Sequence, residues 1–227
     1  MDPPKCREDV ALIAAFSLRS CEEGATKEMQ LIERRGPWSV ASRREVYDNR
    51  WIKVTHHEVT TPSGTPGIYG TVHHKNLALG VLPIDREGNT YLVGQYRFAL
   101  KEYSWEIPEG GGSLDGDPLQ SIARELREET GLRAERWHKL LECDLSNSVS
   151  DERAMVFLAW DLSQGEASPE PSEELAVRKV PLKQVFQMAD AGEIRDAISL
   201  LALQAVERLL LKGKLPGLLG LEASGWI

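Results

Sequence analysis

The sequence predicts a mixed α/β (α+β) fold, with a mixed β-sheet held between helices and a separate β-hairpin sheet ahead of it. Three observations carry this. Residues 43–61 place strand-favouring side chains at Val46, Trp51, Ile52, Val54 and Val59. Pro62-Ser63-Gly64 then reads as a turn, and residues 68–72 as the returning strand of a hairpin. Residues 77–84 are an unbroken apolar run, the pattern of a strand buried on both faces. Finally, residues 118–130 form a helix bounded by Asp117 as N-cap, Pro118 at the first helical position and Gly131 as terminator, with Gln120 completing a pattern like a capping box.

The remaining elements follow in order. Residues 85–89 supply a turn in which Gly88 can take positive φ, and residues 90–96 the next strand. Two more strands lie near 137–145 and 155–162, then a Pro- and Glu-rich loop over 168–174, then helices over 182–191 and 196–211. The chain therefore divides into an N-terminal extension, 1–42, expected to be poorly ordered in part; a hairpin sheet, 43–76; a main domain, 77–212; and a Gly- and Leu-rich tail, 213–227, expected to pack loosely. No internal repeat is visible.

Composition narrows the function classes. At 227 residues, 41% hydrophobic and 27% charged, the chain reads as a soluble globular protein with a sizeable core. A net charge of -8 argues against a nucleic-acid partner, because polyanions repel an acidic surface. Three cysteines, Cys6, Cys21 and Cys143, with no CxxC pair, signal neither a disulfide framework nor a zinc site, and fit a reducing cytosol. No apolar run approaches the roughly 20 residues that cross a bilayer. The short apolar run 10–18 has a signal-peptide reading, opposed by Glu8 and Asp9 before it and Arg19 after it. The preferred reading is an extension or an early start codon, with Met29 opening the chain that reads normally.

The chemistry sits on the main helix. Glu125, Glu128 and Glu129 are related as i, i+3 and i+4, which stacks three carboxylates on one face. Leu119, Ile122 and Leu126 form the neighbouring face that packs on the sheet. Adjacent anions repel, and a hard divalent cation with oxygen ligands relieves the repulsion. The plain reading is a solvated acidic face neutralised by Arg124 and Arg127. What sets it aside is the stretch upstream, Trp105-Glu106-Ile107-Pro108-Glu109-Gly110-Gly111-Gly112, read as a strand running into a glycine loop. Such a loop lets backbone approach a metal-bound diphosphate closely.

Here the residues carry a resemblance. Residues 110–132 look like the Nudix box, G-x5-E-x7-R-E-U-x-E-E-x-G-U with U aliphatic. Gly110, Arg124, Glu125, Leu126, Glu128, Glu129, Gly131 and Leu132 fall in register; the box's first glutamate is replaced by Gly116, for which Asp115, Asp117 and Glu109 are the candidate substitutes. Gly94-Gln95-Tyr96-Arg97 and Gly192-Glu193-Ile194-Arg195-Asp196-Ala197 are similar to the branch that includes ADP-ribose pyrophosphatases. The resemblance spans roughly residues 46–211 and implies a Nudix-type α/β/α sandwich whose hairpin sheet swaps across a homodimer and lines the nucleoside pocket.

It further implies hydrolysis of the diphosphate in a nucleoside diphosphate sugar, with Mg2+, or Mn2+ in its place, held by Glu125, Glu128, Glu129 and the carbonyl of Gly110 or Gly111. Arg124 then orients the glutamates, and Glu173 or Glu174 in the later loop acts as general base, with Glu152 as a further candidate. Arg97 would reach a phosphate, Glu106 a ribose hydroxyl, and Trp51 or Tyr69 would stack on a base. For each the plain alternative is a surface ion pair, a sheet-facing acid, or a core or dimer-interface aromatic. His56-His57 and His73-His74 are read as structural, because adjacent strand residues face opposite ways. Leu145-Ser146-Asn147-Ser148 stands where many ADP-ribose enzymes carry a proline, so NADH and dinucleoside polyphosphates remain alternative substrates. A catalytically silent nucleotide sensor is the reading from another class. Three intact carboxylates oppose it and Gly116 favours it.

Overall fold

A computed structural model describes residues 33–168 and 174–220. The apolar run 10–18 and Glu173 lie outside the described residues.

The first four strands, β1 (Glu33–Arg35), β2 (Trp38–Asp48), β3 (Ile52–Thr60) and β4 (Pro66–His74), form an antiparallel sheet in that order. This sheet begins at Glu33, ahead of the boundary expected at residue 43. The stretch 43–61, read as one strand, is two. Asn49 breaks it: its side-chain oxygen accepts the N–H groups of both Trp51 and Ile52, each at 2.8 Å, and turns the chain back on itself. Trp51 therefore sits on a turn, not in a strand.

The main domain is built on a second sheet of order β8-β5-β10-β9, made from β5 (Asn76–Pro83), β8 (Glu109–Ser113), β9 (Leu132–Asp144) and β10 (Arg153–Gln164). It is mixed: β10 runs parallel to β5 and antiparallel to β9, and β5 is antiparallel to β8. A third, antiparallel sheet has the order β11-β6-β7, from β6 (Asn89–Arg97), β7 (Glu102–Glu106) and β11 (Ala176–Pro181). The glycine stretch expected as a loop is strand β8, held by its pairing with β5. Strand β11 is not expected from the sequence pattern; its pairing with β6 makes it one.

The apolar run of β5 is explained by burial on both faces. Leu77, Leu79 and Val81 join Phe157 and Ala159 of β10 against helix α1 (Pro118–Thr130), through its Ile122 and Leu126. Leu82 joins Val156, Leu158 and Trp160 on the opposite face, under α2 (Leu182–Asp190) and α3 (Ala197–Leu211), which contribute Val185, Ile198, Ala202 and Val206. Strand alternation thus sorts one run of residues into two cores, which makes an α/β/α sandwich. Leu119, expected on the packing face of α1, is 37% exposed, whereas Ile122 and Leu126 are fully buried. Among the described residues of the tail expected to pack loosely, Leu215–Leu219 form α4, with Leu215 and Leu219 buried in the core. Among the described residues, no helix is long and apolar enough to cross a membrane.

Candidate active site

Helix α1 is fixed at both ends. The Asp117 carboxylate accepts the N–H of Leu119 at 2.9 Å, and Gly131, at φ 74°, turns its N–H back to the carbonyl of Arg127. With Ile122 and Leu126 anchored in the core, the helix can present its glutamates in only one direction, toward β8 and the loop after β10.

The three glutamates are not equivalent. Glu129 is buried, 4% exposed, and accepts the backbone N–H of Glu109 at 3.1 Å. Glu125 lies over Gly110 so closely that a Cβ there would fall inside its carboxyl group. Glu128 is the most outward of the three. Arg124 spans two of them, donating to Glu125 at 2.6 Å and to Glu128 at 2.5 Å. Those two carboxylates raise the already high pKa of the Arg124 guanidinium against the opposing effect of its partial burial, the largest single influence on it. Gly116, at the position of the box's first glutamate, closes a turn through its N–H to the Ser113 carbonyl at 3.2 Å. Of its suggested substitutes, Asp117 is spent as the helix cap and Glu109 is tied into a separate cluster.

That cluster lies beneath the glutamates and was not anticipated as a unit. Ser199, fully buried near the start of α3, accepts the Ile107 N–H and donates to the Glu109 carboxylate, each at 3.0 Å. Asp196 caps α3 through the Ser199 N–H at 2.7 Å. Burial, then the neighbouring Asp196 and Glu106 carboxylates, push the Glu109 pKa well above the usual carboxylate range. Arg97 answers this group: its Nε donates to both oxygens of Glu106 at 2.9 and 3.1 Å, and the pair holds the Arg97 pKa up. Glu106 is 2% exposed and points at Arg97, not outward. The signal in the sequence was Asp196, three residues ahead of a buried serine in a capping pattern.

The other expected residues scatter. Glu174 is exposed just before β11. The loop leading toward it leaves β10 beside the acidic helix, pinned by the Gly165 N–H to Gly131 and the Ser168 N–H to the Glu128 carbonyl, both 2.9 Å. Glu152 lies 3.4 Å from His74. Trp51, 54% exposed, carries the Arg50 guanidinium 4.0 Å over its ring. Tyr69 is engaged edge-on by Trp38 and donates to the Ser148 carbonyl. His57 bonds Thr71 and His73 pairs with Asp151, so the two histidine pairs serve the sheet.

Among the described residues, no three His, Cys, Asp or Glu side chains converge closely enough to hold an ion in their present rotamers. Arg124 bonds two of the carboxylates, Glu125 and Glu128, as their cation. The donor set nonetheless fits a hard divalent ion: it is all oxygen, sits on one helical face, and packs against β8 where Gly110 carries no side chain.

Residues 74–201 match the NUDIX domain, and residues 38–72 match the nucleoside diphosphate sugar hydrolase N-terminal domain. An ADP-ribose pyrophosphatase of Mycobacterium tuberculosis is 33% identical over 66% of this chain and 73% of its own length. One from Bacillus subtilis is 29% identical over 73% of this chain and 90% of its own. In fold, the chain is similar to a crystal structure of an ADP compounds hydrolase, with a TM-score of 0.70 at 19% identity, covering 81% of this chain and all of that one.

Proposed function

The chain belongs to the Nudix family and is a hydrolase of phosphoric anhydrides, and from that premise we propose that it cleaves the diphosphate of an ADP-ribose-like nucleoside diphosphate sugar. The products are a nucleoside monophosphate and a sugar phosphate, and the cofactor is Mg2+. The observation that carries this reading is the packing of α1 on β8, which lays Glu125 over Gly110 and ties Glu129 to the Glu109 N–H. The joining of a nucleoside diphosphate sugar hydrolase N-terminal domain to the box supports the substrate class.

In this reading Glu125, Glu128, Glu129 and the Gly110 carbonyl hold the ion. An ion held there would supply charge neutralisation of the diphosphate and a lowered pKa for water. Arg124 keeps Glu125 and Glu128 in place beforehand and screens their mutual repulsion. The Glu109 N–H fixes Glu129. Arg97, its side chain still 38% exposed, offers a guanidinium to a phosphate oxygen, and Glu106 acts through Arg97 as a positioning residue. Glu173 or Glu174 takes the proton from the attacking water, since their loop starts against the Glu128 carbonyl. Trp51 is available to a base in a homodimer formed through the N-terminal sheet, in the cytosol.

The test is turnover on ADP-ribose, ADP-glucose, GDP-mannose, UDP-glucose, NADH and diadenosine polyphosphates, with Mg2+ and with EDTA. Release of nucleoside monophosphate from a nucleotide sugar is expected, abolished by EDTA and lowered by at least about a hundredfold in Glu128→Gln. Glu173→Gln or Glu174→Gln should lower kcat with KM little changed. Turnover that persists in EDTA and in Glu128→Gln would remove the carboxylates from the chemistry.

A further inference from the structure

The chain crosses from the third sheet to the second at Ile107-Pro108, between the end of β7 at Glu106 and the start of β8 at Glu109. Both residues fall outside the two ladders, and Pro108 has no N–H to offer. The peptide group that follows is held on opposite sides. Its carbonyl, on Pro108, accepts the Val81 N–H of β5 at 3.0 Å, and its N–H, on Glu109, donates to the Glu129 carboxylate at 3.1 Å. A trans peptide is a flat, stiff unit whose C=O and N–H point opposite ways. This one is therefore a strut between the central sheet and Glu129. Any roll of the peptide about the chain axis moves the N–H on which Glu129 rests.

Ser199 of α3 grips the chain on both sides of Pro108. Its fully buried hydroxyl accepts the Ile107 N–H and donates to the Glu109 carboxylate, each at 3.0 Å. A hydroxyl has one proton and two lone pairs, so it serves both partners at once. Ser199 is itself anchored, its N–H donating to the Asp196 carboxylate at 2.7 Å.

Strand alternation makes this grip possible. Glu109 lies opposite Gly80 in the β5–β8 ladder. A Cβ at Gly80 would stand 2.5 Å from Ile198 Cγ2 and 3.1 Å from Ile107 Cδ1, so the bare glycine lets the start of α3 seat directly on this rung. Cross-strand partners share a face, and the Glu109 side chain turns to α3. The next residue, Gly110, turns its bare side to the opposite face, under Glu125. One strand end thus connects α3 to the glutamates of α1.

We infer that Ser199 is a positioning residue for Glu129. By holding Ile107 and Glu109 it sets the roll of the Pro108–Glu109 peptide, and with it the place at which Glu129 is presented to a divalent ion. The inference rests on the reading of Glu129 as a ligand of that ion. It extends the machinery to a helix that carries none of the carboxylates assigned to the metal.

The experiment compares full chains of the wild type, Ser199→Ala, Glu109→Ala, their double variant and Val206→Ala. Mn2+ binding is read from the electron paramagnetic resonance signal of the free ion, and exchange of the Glu109 amide hydrogen is read by NMR in EDTA. Ser199→Ala should weaken Mn2+ binding by about tenfold or more, as expected for a group that orients a ligand from behind. It should also speed exchange of the Glu109 amide by at least about tenfold. Glu109→Ala removes the other end of the grip and should weaken Mn2+ binding likewise, with little further loss in the double variant, because the two act as a unit. Val206→Ala disturbs the buried face of α3 without touching the hydroxyl. It should lower the melting temperature yet leave both readouts within about twofold of the wild type. Unchanged Mn2+ binding in Ser199→Ala, a Glu109 amide that stays slow there, additive losses in the double variant, or equal losses in Val206→Ala would each overturn the inference. Failure of the hydrolase reading looks different: the wild type then neither binds Mn2+ nor turns over a nucleotide sugar, while the Glu109 amide still reports whether Ser199 holds the peptide.

Discussion

At Gly110 a methyl group would occupy the space of the Glu125 carboxyl, yet what it meets is the end of a flexible side chain. The strand should therefore tolerate Gly110→Ala, with a stability change under about 1 kcal/mol, while Glu125 swings away from Arg124 and from the open backbone. The expected outcome is a drop in kcat of about tenfold or more, at an almost unchanged melting temperature. A variant that keeps full activity would show that Glu125 need not lie where it does. Glu109 gives a second prediction at this scale. Its folded pKa is raised, so the native state binds its proton more tightly than the unfolded chain. Stability from this group is fully present below the unfolded carboxylate pKa of about 4.3 and is lost as pH rises toward the folded value. Glu109→Gln, which keeps an acceptor for Ser199, should be the more stable protein at pH 8 in EDTA, with the difference shrinking toward pH 4. Urea midpoints across that range measure it; parallel curves for the two proteins would show that the carboxyl is not held in its neutral form.

Among the elements, α1 was the most legible in advance, because its cap, its terminator and its acidic spacing are all local signals. Asp117→Ala removes the acceptor for the Leu119 N–H and should cost about 1 kcal/mol of stability. Because the core anchors Ile122 and Leu126, the helix should remain in place and KM should hardly move, which thermal melts and kinetics on one variant can check. The N-terminal sheet was read less well. Alternation over 43–61 is real, but a single asparagine side chain, Asn49, folds it into two strands, and a hydrogen bond from a side chain to two backbone groups leaves no trace in hydrophobic periodicity. Strand β8 was hidden for a related reason: glycines have little strand propensity, and only the partner strand β5 makes a strand of them.

For the whole molecule, the N-terminal sheet presents Val46, Tyr47, Trp51 and Ile68 to solvent, Ile68 at 69%. That is much apolar surface on one small sheet, and it supports the proposed homodimer. Ile68→Glu should shift the chain toward monomer in sedimentation velocity, since a buried unpaired charge is costly at an apolar interface. A wild type that sediments only as monomer at the same concentration would rule out the dimer.

By itself the sequence determined the class of fold and the position of the acidic helix, and the resemblance of residues 110–132 to the Nudix box implied the family of chemistry. The first two rest on short-range patterns: helical spacing of Glu125, Glu128 and Glu129, capping residues, and an apolar run long enough for one buried strand. Tertiary structure alone decided that Glu129 is buried on the Glu109 N–H, that Arg97 answers Glu106, and that Ser199 supports the strand end from 92 positions away. It also decided that Leu215 and Leu219 join the core. These are pairings between distant parts of the chain. They exist because buried donors, acceptors and charges must find partners once the sheet and helices have closed around them, and no local pattern encodes which partner that will be.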